Sequence, residues 1–278
     1  MYNQFMRFPN FKMKALTFSY DDNVVEDKRL IEIFEKNGLK GTFNINSSRW
    51  SSTPCPTGRM TIDEAKQAYA SDSAEIAAHG WEHLSLTQCC EELKLRELFL
   101  DRDNIEKVFG GVVTGFAYPN GRVDDASVEA LRRCGFEYAR TVVSTEKFDI
   151  PQDFLRWDPT CHHNNPKVME LAQAFVEQQV SGNAWANNPM LFYIWGHSYE
   201  FRTKDNWPHI EQLAAYLGGK DDIWYATNGE IVNYVQAYRR LKFSASYERV
   251  YNPSAVDVYL SWIGKDVVVP AGQTVDLK

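Results

Sequence analysis

Short apolar segments alternate with helix-like segments along most of the chain, and this rhythm constrains the fold more than any other feature. The segments predicted as strands span residues 15–20, 42–45, 74–78, 112–118, 136–143, 154–157, 190–195 and 222–226. The segments with helical spacing or capping residues span 26–37, 61–70, 91–109, 125–134, 167–180, 207–217 and 229–241. Strands separated by helices form parallel sheets. Roughly seven such units in one chain predict a closed or nearly closed α/β barrel rather than an open sheet.

The pattern changes after residue 241. Residues 244–278 alternate apolar and polar side chains and contain Gly264-Lys265 and Ala271-Gly272 turn sequences, which is typical of β-hairpins. We therefore expect two parts. Residues 1–243 would form the barrel, and residues 244–278 a small β-hairpin appendage packed on the barrel or on a partner.

Composition excludes several classes of protein. The formal net charge of −7, without any basic stripe, argues against a nucleic-acid partner. No segment approaches the ~20 apolar residues of a membrane span, and residues 1–13 lack the apolar run of a signal peptide. The five cysteines, an odd number at irregular spacing, do not form a disulfide framework. We expect a reduced, cytoplasmic protein without a membrane partner, and leave open whether it forms a homo-oligomer.

Two groups of metal-ligand residues follow predicted strands. Asp21 and Asp22 end the first apolar strand, where adjacent carboxylates raise each other's pKa unless a cation lies beside them. His79 and His83 follow the third strand and share one face of a helical turn, because they are four residues apart. Together they are candidates for a two-histidine, one-carboxylate metal site with open positions for water and substrate. A surface turn that caps the next helix is the alternative for the carboxylates.

Two further predicted strands end in polar groups. The Pro119-Asn120-Gly121 segment predicts a sharp turn that exposes backbone N–H groups, so the Asn120 N–H is a candidate donor to a developing oxyanion. His197 emerges from an apolar strand and is a candidate general acid. An ordinary turn and a core histidine bonded to backbone are the alternatives. All four segments lie at the carboxyl ends of strands, where parallel α/β barrels collect catalytic groups.

These four segments, in this order, resemble the polysaccharide deacetylase (NodB-homology) family, the family 4 carbohydrate esterases, over about residues 14–239. The family's signatures are Thr-Phe-Asp-Asp, His-Ser/Thr-x-x-His, Arg-x-Pro-Tyr and a late apolar strand ending in His. The resemblance implies an α/β fold, a distorted (β/α)7-type barrel of mostly parallel strands. It also implies roles by position: Asp21 as catalytic base, Asp22, His79 and His83 as metal ligands, the Asn120 backbone N–H as oxyanion donor, and His197 as catalytic acid.

Three positions depart from the family pattern. Asn23 stands where the family usually has Gly, and Gly80 where it has Ser or Thr. Ala117 stands where the family has the arginine that orients the base. Arg156 and Arg140, each in or at the end of a predicted strand, are the candidates to replace that arginine. We favour Arg156.

The resemblance implies a metal-dependent deacetylase that acts on carbon–nitrogen bonds other than peptide bonds. The expected substrate is an N-acetylated amino sugar or small oligosaccharide. The expected cofactor is one divalent metal ion, zinc first, although nitrogen and oxygen ligands also permit cobalt, nickel or manganese. Two other functions stay open. One is hydrolysis of a non-sugar amide or cyclic ureide, as in allantoinase-like relatives that also lack the arginine segment, and the other is non-catalytic carbohydrate binding.

Aromatic and polar side chains beside the four segments are candidates for substrate contact, because aromatic rings offer large, rigid contact surfaces. They are Trp81, Tyr118, Trp157, His162, His163 and Tyr199. Core packing is the alternative for the tryptophans, and a plain surface turn is the alternative for the two histidines.

Overall fold

The computed structural model describes residues 4–178 and 188–277. The strands in these residues are β1 (Gln4–Arg7), β2 (Lys14–Asp21), β3 (Gly41–Ile45), β4 (Ala74–Ala78), β5 (Gly115–Ala117), β6 (Tyr138–Arg140), β7 (Cys161–His162), β8 (Met190–Gly196), β9 (Ile223–Tyr225), β10 (Lys242–Phe243), β11 (Arg249–Tyr251), β12 (Val258–Trp262), β13 (Lys265–Val269) and β14 (Thr274–Asp276). The helices are α1 (Asp27–Asn37), α2 (Ile62–Ala68), α3 (Glu91–Phe109), α4 (Asp125–Arg133), α5 (Val168–Glu177), α6 (Tyr199–Thr203), α7 (Trp207–Leu217) and α8 (Asn228–Arg239).

The central sheet is parallel and curls into a barrel. Its strand order is β6-β5-β4-β3-β2-β8-β7, and β9 pairs with the first residues of β2. A parallel bridge between Arg140 and Trp157 joins β6 to the segment that leads into β7, and β7 pairs with β8. This segment links the two ends of the sheet. The predicted distorted barrel of parallel strands is confirmed.

The two faces of β2 explain how a carboxylate comes to lie inside the barrel. Every residue of β2 is buried, as expected for a parallel strand covered on both faces. Phe18 and Tyr20 pack on the helix side, with the Phe18 ring centroid 4.7 Å from that of Phe34 in α1. Because side chains alternate along a strand, Ser19 and Asp21 point to the opposite face, where Asn44 donates hydrogen bonds of 2.8 Å to each of them.

Most predicted elements match the observed ones within a few residues, and β4, α3 and α7 match at both ends. The predicted strand at 154–157 is wrong. Its first three residues form a 3-10 helix, Phe154–Arg156, whose start is capped by the Asp153 side chain accepting from the Leu155 N–H at 2.9 Å. The strand in this part of the barrel is β7, which the sequence pattern did not indicate. Residues 179–180 of the predicted helix 167–180 lie outside the described residues.

The C-terminal residues form two small antiparallel sheets, with orders β1-β12-β13 and β10-β11-β14. Strand β1 comes from the N-terminal end of the chain and pairs with β12 from Gln4 opposite Trp262 to Arg7 opposite Tyr259. The division at residue 243 stays a prediction, but β1 contributes to the C-terminal sheets. None of the helices in residues 4–178 and 188–277 is long and apolar enough to span a membrane.

The turn between β12 and β13 gives a stability prediction. Ile263 and Gly264 form this two-residue loop with φ of 51° and 78°, the left-handed geometry of a type I′ turn, in which Asn-Gly is the preferred pair. A β-branched residue is strained there. We expect Ile263→Asn to raise the free energy of unfolding by about 0.5–1 kcal/mol, measured as a higher urea midpoint at constant m-value.

Val112→Asn is the matched control. Val112 is also an exposed β-branched residue, but its φ is not positive. Replacing it by Asn should therefore change the free energy of unfolding by no more than about 0.5 kcal/mol. A lower urea midpoint for Ile263→Asn would contradict the strain argument.

Candidate metal centre

Asp21 and Asp22 lie at the carboxyl end of β2, where the strand turns into its loop. The Asp22 N–H still bonds the Asn44 carbonyl at 3.0 Å, but the backbone of Asp22 is left-handed, with φ of 89°. Neighbours on a regular strand point to opposite faces, and this turn brings both carboxylates to one region. Both carboxylates approach His79. Its Nε2 lies 3.6 Å from Asp21 Oδ2, and one of its ring nitrogens lies within 4.8 Å of an Asp22 oxygen.

The carboxylate of Asp21 is buried and paired with the guanidinium of Arg140. Arg140 Nη2 donates to both oxygens of Asp21, at 2.7 Å to Oδ1, and Arg140 itself is fully buried. Burial alone would raise the pKa of Asp21, but Arg140, His79 and His197 outweigh it and hold that pKa below its ordinary value. Asp21 is therefore ionised across the working pH range.

The two histidines of the His-x-x-x-His segment come together just beyond β4. Their ring centroids are 4.7 Å apart. His79 Nδ1 bonds the Ala117 carbonyl at 2.8 Å. A carbonyl can only accept, so Nδ1 carries the proton and Nε2 keeps its lone pair, as metal-binding histidines require. Burial lowers the pKa of both rings, that of His83 to about 4, so both are neutral near pH 7.

Ligand atoms of Asp22, His79 and His83 all lie within 4.8 Å of one another. Two neutral imidazoles and one carboxylate at this spacing fit a divalent transition metal, zinc included, with positions left for water and substrate. The predicted ligand set is thus brought together. Which metal it selects is not fixed by these donors.

A buried carboxylate behind His79 fixes the backbone of the segment. Asp101, on α3, accepts hydrogen bonds from the backbone N–H groups of His79 and Ser47, at 2.9 and 2.7 Å. Burial raises the pKa of Asp101 to about 7. Sequence patterns do not single out this residue, because it is one of many charged side chains in α3.

His197 lies on the opposite side of Asp21, directly after β8. Its Nε2 is 3.9 Å from Asp21 Oδ2, and its Nδ1 bonds Glu200 Oε1 at 3.0 Å. Burial lowers the pKa of His197, but the bond to Glu200 and the charge of Asp21 outweigh it, so the pKa is raised. A protonated imidazole with one N–H on a carboxylate and the other facing the site suits a general acid.

A second cluster of His162, His163 and Glu200 also has ligand atoms within 4.8 Å of one another, but its hydrogen bonds do not suit a metal. The Asn164 backbone N–H donates to His162 Nδ1 at 3.1 Å, which leaves the proton on Nε2, 3.3 Å from Glu200 Oε1. The other Glu200 oxygen accepts from Lys204 at 2.6 Å. These contacts make Glu200 the centre of a hydrogen-bond network around His197.

Arg156 was the favoured replacement for the missing arginine, and this prediction is wrong. Arg156 lies in the 3-10 helix and its Nη2 bonds Asp125 at the surface. Arg140 takes the role because it is the Cα partner of Ala117 in the β5–β6 ladder. Its side chain therefore starts one strand away from the family position and points to the same side of the sheet, where the small Ala117 leaves room.

The predicted substrate contacts fall into two groups. Tyr118, Trp157 and His163 are buried, so their assignment to substrate binding is wrong. The Tyr118 hydroxyl donates to the Leu155 carbonyl, and the Trp157 ring packs 4.5 Å from Tyr193. The other three predicted contacts are partly exposed: Trp81, His162 and Tyr199.

The partly exposed group and Asn120 keep their predicted roles as candidates. The Tyr199 ring centroid lies 5.1 Å from that of His197, and Trp81 stacks with the Arg96 guanidinium 4.9 Å from its ring centre. Asn120 is left-handed, with φ of 58°, and its side chain donates to Ser85 Oγ at 2.9 Å. Its backbone N–H stays a predicted oxyanion donor.

Residues 9–139 match the family model for polysaccharide deacetylases. The predicted resemblance to the polysaccharide deacetylase family is confirmed. Among curated protein sequences none matches this chain.

Solved structures of this family share the fold. A candidate polysaccharide deacetylase from Mycobacterium smegmatis is 19% identical, with a TM-score of 0.60 over 84% of this chain and 93% of its own. The chitin deacetylase of the fungal pathogen Colletotrichum lindemuthianum is 15% identical, with a TM-score of 0.51 over 79% and 88%. The Streptococcus pyogenes deacetylase PplD, in complex with acetate, is 19% identical, with a TM-score of 0.41, and this chain spans 54% of it. At these low sequence identities, the first two similarities show a shared fold and nothing more.

The contrast between Arg140 and Arg156 gives a stability prediction. Removing one partner of a buried, hydrogen-bonded pair leaves an uncompensated charge, so Arg140→Met should cost about 3–5 kcal/mol of unfolding free energy. Arg156 pairs with a fully exposed carboxylate, and Arg156→Met should stay within about 1 kcal/mol. Urea denaturation of both variants measures the difference. Equal losses would mean that Asp21 does not depend on Arg140.

Proposed function

We propose that this protein is a metal-dependent deacetylase that removes an N-acetyl group from an amino sugar or small oligosaccharide. The observation that carries the proposal is the convergence of Asp22, His79 and His83 beside a second carboxylate, Asp21, whose two oxygens both accept from Arg140. The match to the polysaccharide deacetylase family supports the choice of an acetamido substrate.

Asp22, His79 and His83 would hold the metal. A divalent cation there lowers the pKa of water and polarises the acetyl carbonyl. Asp21 takes the proton from the attacking water. Its low pKa makes it a weak base but keeps it ionised, and the hydrogen bonds from Arg140 and Asn44 fix its orientation.

His197 gives a proton to the departing sugar nitrogen. Glu200 accepts from His197 Nδ1 at 3.0 Å, which orients the ring and leaves Nε2 facing the site. Because the Glu200 carboxylate stabilises the charged imidazole, the acid form persists to higher pH. The Asn120 N–H would donate to the developing oxyanion, and Trp81 and Tyr199 would contact the sugar ring.

The proposal predicts separate effects for ligand and base. Purified protein should hold close to one equivalent of metal and release acetate from N-acetylglucosamine oligosaccharides but not from cyclic ureides. His79→Ala should lose metal and activity together. Asp21→Asn should keep the metal and lose at least about 10²-fold in kcat, since it lacks the general base. Elemental analysis and an acetate-release assay measure the two quantities.

Asp103→Asn, the same change at a partly exposed position of α3 that pairs with Lys107, should leave both quantities unchanged. Full activity in Asp21→Asn would exclude Asp21 as the base. Sugar binding without metal in the wild type would favour the non-catalytic function, and turnover of cyclic ureides alone would favour the allantoinase-like one.

Glu200→Gln tests the acid. Replacing the carboxylate by a neutral amide lowers the pKa of His197, because the charged imidazole loses its hydrogen-bonded counter-charge. The protonated acid is then lost at lower pH, so the basic limb of the kcat/KM profile should move to lower pH and kcat should fall roughly tenfold or more. Glu146→Gln, the same change in a surface pair with Lys167, is the control. An unchanged basic limb would assign that limb to another group.

A further inference from the structure

Arg59 forms an ion pair with the metal-ligand carboxylate Asp22. Its Nη2 lies 3.0 Å from Asp22 Oδ1, and its Nη1 donates to the Asp22 backbone carbonyl. The same Nη1 reaches Asn23 Oδ1 at 3.3 Å and Asn46 Oδ1 at 3.4 Å. Its side chain is 23% exposed. Most hydrogen bonds of this guanidinium are therefore with Asp22 and Asn23, in the turn that carries the proposed metal ligand.

The backbone around Arg59 is fixed against that turn. Arg59 forms an antiparallel bridge with Val24, and the Met60 N–H donates to the Asn23 carbonyl at 3.0 Å. Thr61 then caps α2 with a reciprocal bond to Glu64. Arg59 is therefore a built part of the site rather than a mobile surface side chain that happens to lie near it.

The two carboxylates of the site each have their own guanidinium. Asp21 pairs with Arg140 and Asp22 with Arg59. The charges of these two carboxylates and two guanidinium groups sum to zero before any cation binds. A divalent metal must then share Asp22 with an arginine that already holds one of its oxygens.

We propose that Arg59 tunes the metal centre by competing with the cation for Asp22. The proposal rests on the metal site described under the proposed function. The guanidinium stabilises the metal-free form, confines Asp22 to one oxygen for the metal, and repels the cation through space. It therefore weakens metal binding.

Arg59 could act through its charge, by competing with the cation, or through its contacts, by positioning Asp22. The two roles predict different effects of Arg59 substitutions on metal affinity. If charge dominates, Arg59→Gln tightens metal binding, because the competing cation is gone while an amide can still bond the turn. Arg59→Lys keeps the charge and stays close to wild type. If Arg59 only positions Asp22, both substitutions weaken binding, since neither restores the guanidinium contacts.

The test is the dissociation constant for Zn²⁺ and Co²⁺, measured by competition with a chromogenic chelator at fixed pH and ionic strength. Even in a water-like dielectric, a unit charge one carboxylate away from a divalent ion changes affinity by roughly tenfold. We expect Arg59→Gln to tighten binding by about that factor or more. Its metal-free form should unfold at lower temperature and gain more from added metal than the wild type does, because the metal-free protein loses its ion pair.

Arg29→Gln is the control, since Arg29 pairs with Glu211 on the surface at 2.9 Å and the change in net charge is the same. If Arg59→Gln does not fold, Arg59→Met replaces it in the test, and tighter metal binding is again the expected result. Unchanged or weaker binding in the uncharged variant overturns the proposal. A wild type that binds neither metal overturns the proposed metal centre instead, and the two failures are thereby distinguished.

Discussion

The buried pair of Asp21 and Arg140 is the interaction on which the rest of the site depends. A carboxylate inside a barrel is costly unless a charge and hydrogen bonds compensate it. Arg140 comes from β6 and Asp21 from β2, with β5, β4 and β3 between them in the sheet. The pair can form only because the sheet curls far enough for side chains to meet across the interior. The pairing of Asp21 with Arg140 therefore depends on the curvature that closes the barrel.

The positions of the three proposed metal ligands could be predicted from sequence because they follow from local rules. Asp22, His79 and His83 each lie just after an apolar strand, and parallel strands deliver their carboxyl ends to one edge. The local sequence pattern does not reveal the left-handed backbone at Asp22, which lets the two neighbouring carboxylates reach one region. Nor does it reveal the carboxylate of Asp101, which approaches His79 from α3, the next α-helix along the chain.

The arginine that pairs with Asp21 could not be assigned from sequence. The choice between Arg140 and Arg156 depended on which face of a strand each occupies and on how the strands align. The predicted strand at 136–143 contained Arg140 but did not tell which face it occupied. The apolar segment at 154–157 resembled a strand, yet Asp153 caps it as a 3-10 helix. Tyr118 and Trp157 were misassigned for a related reason. Successive side chains of an extended segment point to opposite faces, so a residue next to a site residue in sequence does not necessarily face the site.

The register of β5 and β6 explains why the missing arginine is tolerated. What His79 needs from position 117 is a backbone carbonyl, which any residue supplies. What Asp21 needs is a guanidinium, and Arg140, the cross-strand partner of Ala117, delivers it from the same side of the sheet. Relative to the family pattern, the guanidinium therefore comes from the neighbouring strand, β6, and Asp21 still has an arginine partner.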